Sequence, residues 1–376
     1  MTVKKISAKL HLWLGLASGL VVFVLGLTGA IYTFETELRY AFYPERYYAD
    51  SVSAKPLPLR VLKKKAQEAI GSELDLNFAL YKPFTHETYR FRGSKFNAEG
   101  NTYNTRTLVY KTVYINPFTG GVQYIENTKW EFFQIVKVIH TELMLGETGH
   151  FIAAWGTVVF VVLLLTGLVL WWPRSKAASK QRFAIKWNAR WRRVNYDVHN
   201  VGGFYTLLVT LILGLTGVYF GFESVRKTLK WAVEGNTVSN AAPALTDTLS
   251  KSVPNALDYI EAKVASQPHN KGLYMVGLSD NKVAPVVFTI MHNSDNYLKR
   301  SQFFFDKYTG ATLRSKPVDE WRNSEIFLNS MYDIHVGKVL GLWGQIFACL
   351  GSLASAALPV TGFYIWWGKK YKPKKR

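Results

Sequence analysis

Four long apolar runs constrain this chain more than any other feature of its sequence. They cover about 12–34, 151–172, 201–222 and 339–367, and no ionised side chain interrupts the middle of any run. Each run is long enough to cross the roughly 30 Å hydrocarbon core of a bilayer as a helix. We therefore expect a multi-pass membrane protein with four spans.

The basic residues lie outside the apolar runs and predict the orientation of the chain. Segments 1–11, 173–200 and 368–376 together hold 17 Lys and Arg residues and one acid, Asp197. Because cytoplasmic loops carry an excess of Lys and Arg, we expect both termini and the middle loop in the cytoplasm. This placement accounts for most of the net charge of +20 without nucleic acid, and it suits contact with anionic membrane lipids.

The first run also allows a second interpretation, a cleaved signal peptide, since Lys4, Lys5 and Lys9 precede it. The run is long for the apolar part of such a peptide. The same pattern also returns at Val201, where no signal peptide can stand. We therefore favour a membrane span at both places.

The two halves of the chain repeat the same motifs in the same order. Residues of run one recur in run three 188 positions later, and those of run two recur in run four 195 positions later. Since each half begins and ends in the cytoplasm, a pseudo-two-fold axis along the membrane normal is expected. The matched pairs include His11 with His199, Gly26 with Gly214, Thr28 with Thr216, Gly29 with Gly217, Glu35 with Glu223, His140 with His335, Thr166 with Thr361 and Gly167 with Gly362.

The repeat predicts the fold class, an all-α four-helix membrane bundle built from a tandem two-helix repeat. Each polar segment between two spans carries an amphipathic helical stretch and a strand-like run that ends in a turn, at 116–120 and 306–310, so two α+β domains outside the membrane are expected. The predicted boundaries are 1–36 for the N-terminus and first span, 37–138 for the first outer domain, 139–173 for the second span, 174–198 for the cytoplasmic loop, 199–223 for the third span, 224–333 for the second outer domain, 334–367 for the fourth span and 368–376 for the tail.

Four of the eight histidines are matched by the repeat and stand near opposite membrane faces. His11 and His199 begin runs one and three, whereas His140 and His335 precede runs two and four. A haem iron can be held by two neutral imidazoles from facing helices, one on each side of the macrocycle. We therefore predict two b-type haems, whose irons are bound by His11 with His199 and by His140 with His335.

Other interpretations of these histidines stay open. Taken singly, each histidine could simply form a hydrogen bond at an interface between helices rich in small residues. In that interpretation the glycines only allow the helices to pack closely. The unmatched His150 aligns with Gln345, so it is an alternative to His140 or a residue that serves the substrate. A zinc site needs ligands gathered together, whereas a rise of about 1.5 Å per residue separates the two pairs by roughly 30 Å. Candidate partners for haem propionates are Arg190, Arg192 and Arg193.

The order of these motifs resembles the PepSY-associated transmembrane family. The resemblance rests on a histidine, a glycine-rich span, Leu-Thr-Gly and Phe-Glu, then a returning span that ends Thr-Gly-x-x-x-Trp-Trp, and it extends from about His11 to Trp367. It implies PepSY-like outer domains and a bacterial inner-membrane protein. That family includes the FoxB-type ferric-siderophore reductases, so the resemblance implies a haem-dependent oxidoreductase that acts on ferric siderophores in the periplasm.

The electron donor must be a separate molecule, because the cytoplasmic segments are too short for a flavin or nicotinamide domain. A cytoplasmic reductase and membrane quinol both remain candidates. Two other functions compete with the reductase. One is a non-redox scaffold whose PepSY-like domains bind or inhibit periplasmic peptidases, and the other is a transporter for iron or its siderophore. The transporter is disfavoured because the runs contain neither interruptions nor ionised residues.

Overall fold

The chain forms two compact units, each assembled from separate stretches of sequence. The helical unit comprises Met1–Phe34, Val136–Leu229 and Met331–Arg376, and the sheet unit comprises Glu35–Ile135 and Lys230–Ser330. The structure, a computed structural model, describes residues 2–52, 55–83, 85–173, 182–235, 245–248, 252–268, 270–292 and 297–371. Of the basic residues in segments 173–200 and 368–376, those that fall outside these ranges are Arg174, Lys176, Lys180, Lys372, Lys374, Lys375 and Arg376.

Within the described residues, four helices are long and apolar enough to cross a membrane, which confirms the prediction of four spans. Such helices suit a bilayer because they satisfy their backbone hydrogen bonds internally. Spans 1 and 3 begin about ten residues earlier than the apolar runs, since the helix continues through the basic residues that precede each run. The bounds are Val3–Thr33 for span 1, Gly146–Trp171 for span 2, Trp191–Gly221 for span 3 and Lys338–Lys370 for span 4.

The four spans form a four-helix bundle. Span 1 packs against spans 2 and 4, and span 3 packs against the same two, so spans 1 and 3 lie on one diagonal. Glycines permit the close crossings: a Cβ on Gly26 would lie 2.7 Å from the backbone oxygen of Ser352 and the backbone nitrogen of Ala356. A side chain at Gly26 would therefore push spans 1 and 4 apart.

Two short helices precede spans 2 and 4. The His140 helix (Phe132–Glu142) ends where Leu143 and Met144 take positive φ angles of 48° and 63°. The His335 helix (Met331–His335) is followed by Gly337 at φ 82° and a 3-10 turn at Lys338–Leu340. His140 is therefore not continuous with span 2, a point that the sequence left open.

The described residues of the sheet unit form one eight-stranded antiparallel sheet in the order β4-β3-β2-β1-β5-β6-β7-β8. Sequence analysis predicts two outer domains, but the structure joins both segments through the pairing of β1 with β5. This pairing removes two open edges that separate four-stranded sheets would expose. The strands are β1 Phe78–Tyr81, β2 Tyr89–Phe96, β3 Thr107–Ile115, β4 Val122–Glu126, β5 Leu273–Gly277, β6 Val286–Met291, β7 Arg300–Phe305 and β8 Thr312–Lys316.

Two helices, Leu59–Ile70 and Ala256–Ala265, contribute to the apolar core of this sheet. Glu261 ties them together, because its carboxylate accepts a hydrogen bond from the Leu59 backbone N–H at 3.0 Å. The core is thus continuous across the two halves of the sequence. The remaining helical elements are Glu35–Phe42, Pro44–Tyr47, Tyr103–Arg106, Thr128–Trp130, Glu223–Glu234, Val318–Glu320 and Asn323–Asn329.

Candidate functional site

The first pair of histidines, His11 and His199, comes from the diagonal spans 1 and 3. Their ring centroids lie 6.2 Å apart and their planes cross at 83°. His199 belongs to a π-helical segment, Val198–Gly202, inside span 3. Single π-helical turns within α-helices are frequent at functional sites. The structure thus brings together the two histidines that the repeat matches near the basic ends of these spans.

The second pair, His140 and His335, comes from the two short helices before spans 2 and 4. Their ring centroids also lie 6.2 Å apart, but their planes cross at 54°. Phe220 of span 3 packs edge-on to His335 with 5.6 Å between the ring centroids. The two pairs therefore share one separation and differ in the relative rotation of their rings.

All four rings have the same immediate neighbours, a threonine and the glycine that follows it. Each Nδ1 lies within hydrogen-bond distance of a threonine hydroxyl, and each Cε1 is the ring atom nearest to the glycine. The Nδ1–Oγ1 contacts are His11 with Thr166 at 3.1 Å, His199 with Thr361 at 2.9 Å, His140 with Thr28 at 3.2 Å and His335 with Thr216 at 2.7 Å.

A backbone carbonyl decides which ring nitrogen carries the proton. The Nδ1 of His140 lies 3.0 Å from the backbone oxygen of Leu25, and a carbonyl oxygen only accepts hydrogen bonds. Nδ1 therefore donates, and Nε2 keeps a free lone pair. Backbone hydrogen bonds also join His11 to Leu163, His199 to Leu358 and His335 to Leu213.

The donor set fits a haem iron between the rings of each pair. Two imidazoles on opposite sides of one iron, each bound at about 2.0 Å, place their ring centroids roughly 6.3 Å apart. Both pairs show 6.2 Å. In the described part of the chain, no group of three or more His, Cys, Asp or Glu side chains is arranged to hold a metal ion, so a multi-ligand protein site has no comparable candidate.

Comparison with known protein families matches residues 8–369 to the PepSY-associated TM region. The chain belongs to the PepSY-associated transmembrane family. The match covers nearly the whole chain, as the sequence motifs predict. A comparison with curated proteins finds no match.

His150 lies apart from the second pair in this PepSY-associated protein. It stands in the first turns of span 2, and its Nε2 lies 3.1 Å from the backbone oxygen of Gly221. The ring that packs against His335 belongs to His140. The geometry therefore favours His140 over His150 as the partner of His335.

The arginines predicted for propionates have different surroundings. Arg193 donates from Nε to the buried Asp197 at 2.9 Å, so part of its guanidinium is already paired. Arg190 is exposed and caps the start of span 3. Arg192 lies beside Gly368 at the end of span 4. Arg190 and Arg192 are both exposed, whereas Arg193 is half-buried.

The position of the threonines beside the histidines was not predicted from the sequence, although Thr-Gly recurs in all four apolar runs of this family member. Two glycines of span 1 also have different neighbours. Gly29 lies 3.1 Å, measured from a hypothetical Cβ, from Cε1 of His140, whereas Gly26 packs against the backbone of span 4. Glycine therefore serves both the candidate sites and plain helix packing.

Proposed function

We propose that this protein is a di-haem b transmembrane oxidoreductase that reduces ferric siderophores in the periplasm and so releases Fe(II) for iron uptake. The observation that carries the proposal is one arrangement that occurs twice. In each pair the imidazole ring centroids lie 6.2 Å apart, and each Nδ1 is hydrogen-bonded to a threonine. Haem bound at each pair would supply one-electron chemistry. The histidines that would hold the two irons are His11, His199, His140 and His335.

The residues around each pair hold the ligands in a fixed orientation. Hydrogen bonds at Nδ1 set the rotation of each ring and leave Nε2 available. Such outer contacts are a general requirement of histidine ligands, because they fix the tautomer before the metal binds. The first pair also lies near the basic ends of spans 1 and 3, where Arg190 offers a cation to haem propionates.

We propose ferric siderophore as the substrate class because the family resemblance implies it. Its Fe(III) gains one electron and becomes Fe(II), for which hard oxygen donors have lower affinity, so the metal leaves the chelator. The electron comes from outside the chain, either from a cytoplasmic reductase or from membrane quinol. The distribution of basic residues supports cytoplasmic termini in a bacterial inner membrane and a periplasmic sheet unit.

One observation favours the alternative, a non-redox scaffold that binds or inhibits peptidases. The edge strand β4 exposes Tyr124 and Ile125 by about 40%, and an open sheet edge can pair with an extended peptide. This alternative requires no cofactor in the bundle. The two functions therefore differ in a property that is measured directly on the purified protein.

An absorption spectrum with haem quantification tests the proposal. The purified protein should contain two haems per chain, with a Soret band that shifts and sharp visible bands that appear on reduction with dithionite. Ferric siderophore added to the reduced protein should return the oxidised spectrum. A colourless protein from haem-replete cells would overturn the proposal and support the scaffold.

A further inference from the structure

The threonines beside the four histidines use their own hydroxyl protons elsewhere. Each Oγ1 donates to the backbone oxygen four residues earlier in its own helix, a common arrangement in membrane helices. A hydroxyl has one proton, so each of these oxygens must act as the acceptor toward the histidine ring. The donated bonds are Thr28 to Val24 at 2.7 Å, Thr166 to Val162 at 2.8 Å, Thr216 to Ile212 at 2.7 Å and Thr361 to Ala357 at 3.0 Å.

Each Nδ1–H therefore points to a threonine oxygen, and that of His140 is shared with the backbone carbonyl of Leu25. The opposite tautomer would turn an unprotonated Nδ1 toward an acceptor oxygen, and that contact would then contain no proton. That tautomer also places the proton on Nε2, where it blocks a metal. The threonine oxygen thus favours, in all four places, the form of the ring that can bind iron.

We propose that Thr28, Thr166, Thr216 and Thr361 are positioning residues that fix the tautomer of the four histidines and tune the reduction potentials of the irons they bind. This inference rests on the proposed function. An acceptor at Nδ1–H makes Nε2 a stronger electron donor. A stronger donor stabilises ferric over ferrous iron, so each threonine is expected to lower the potential of its haem.

The glycine after three of the four threonines supports the same role, whereas a Cβ on Gly217 would lie 3.8 Å from Cε1 of His335, an ordinary contact. A Cβ would lie 3.1 Å from Cε1 of His140 at Gly29, 3.2 Å from Cε1 of His11 at Gly167 and 3.3 Å from Cε1 of His199 at Gly362. These separations are tighter than ordinary carbon contacts, so a methyl group would press on the ring. The Thr-Gly dipeptide therefore combines an acceptor for Nδ1 with space for the adjacent ring carbon.

Plain helix stabilisation is the competing explanation, and Thr210 provides the control. Thr210 is fully buried in span 3 and donates to the backbone oxygens of Thr206 and Leu207 at 3.0 and 3.1 Å. It thus shares the backbone bonding of the four threonines and the burial of Thr28 and Thr216. The hydrogen bonds that the structure gives its side chain go to the backbone of its own helix, not to a histidine.

The test compares Thr166→Val and Thr216→Val with Thr210→Val in the full-length protein. Spectroelectrochemical titration should show a higher midpoint potential for one haem in each of the first two variants. The expected shift in the reduction equilibrium is up to about tenfold, equal to about 59 mV for a one-electron couple. Thr210→Val should leave both potentials at the wild-type values, and Thr166→Ser and Thr216→Ser should restore them by returning the hydroxyl.

Unchanged potentials in both valine variants, with both haems present, would overturn the inference while the reductase proposal stands. Loss of haem in a valine variant supports the inference if the matching serine variant retains it, and overturns it if serine loses haem equally. A wild-type protein without haem is a different outcome, because it removes the proposed function itself.

Discussion

The two histidine pairs have equal ring separations but are carried by different kinds of structure. The first pair stands on spans 1 and 3 themselves, so helix packing in the bundle sets its position. The second pair stands on short helices, and each is joined to its span through residues with positive φ. The same ring separation is therefore set by the packing of long helices in the first pair and by the turns that follow two short helices in the second.

Substitution of a single histidine should have the largest effect of the changes considered, because it should remove the haem of one pair and leave that of the other. His11→Ala and His335→Ala should each reduce the haem content from two to one per chain, because a single imidazole leaves one side of the iron open. Pyridine haemochrome quantification measures this loss. His150→Ala is the matched control and should retain both haems. Two haems in His140→Ala, with one lost in His150→Ala, would instead assign the second site to His150.

A change in the turn before span 4 should affect only the second pair. Gly337 has φ 82°, and a Cβ there would lie 2.1 Å from the backbone oxygen of Gly344. Gly337→Ala should therefore displace the His335 helix, at a cost of about 1–3 kcal/mol for the strained backbone alone. We expect weakened haem at the second pair, measured as accelerated haem loss to apomyoglobin.

Gly202→Ala is the corresponding substitution near the first pair, and it tests whether that pair also depends on a glycine in the adjacent backbone. Gly202 stands three residues after His199 in a helical conformation, and a Cβ there meets no atom within 4 Å. Alanine should be tolerated, since it favours helix over glycine. Equal haem loss in Gly202→Ala and Gly337→Ala would show that the two pairs do not differ in their dependence on turns.

The ring planes predict a spectroscopic difference between the two proposed haems. The planes cross at 83° in the first pair and 54° in the second. Nearly perpendicular ligand planes leave two iron d orbitals close in energy, which raises the largest g value of low-spin ferric haem. Electron paramagnetic resonance of His335→Ala should keep the signal with the larger g value, and that of His11→Ala should keep the smaller. The reverse assignment would contradict the ring geometry.

The smallest effect is expected from a charged group in the chain segment before the His335 helix. Burial acts to raise the pKa of Glu325, but hydrogen bonds from Lys316 and Arg322 outweigh it and lower the pKa to about 2. Its stabilising contribution is therefore present above pH 4.5 and is lost as the pH falls through 2. Glu325→Gln should lower the thermal stability slightly at pH 7 and less at pH 3, with both haems retained. An equal loss at both pH values would argue against the ionised contact.

The sequence predicted the histidine pairs because its recurring motifs match the same residues in the two halves of the chain. It did not predict where the His140 helix ends, because Leu143 and Met144 carry no turn signal and glycine is the usual residue at positive φ. Nor did it predict one sheet, since the pairing of Tyr81 with Tyr274 joins strands far apart in the chain. Thr28 was visible as part of a recurring motif, but its role depends on an acceptor geometry that spacing does not reveal.

The shared sheet has a consequence for the order in which the chain folds. Strand β1 borders β5, yet span 2, the basic loop and span 3 all lie between them in the sequence. During synthesis the first four strands must therefore keep one edge unpaired until the third span has been made. Pairings of such high contact order form slowly, and an open edge is prone to association with other chains. A chain stopped after span 2 would leave that edge permanently exposed to aggregation and proteolysis.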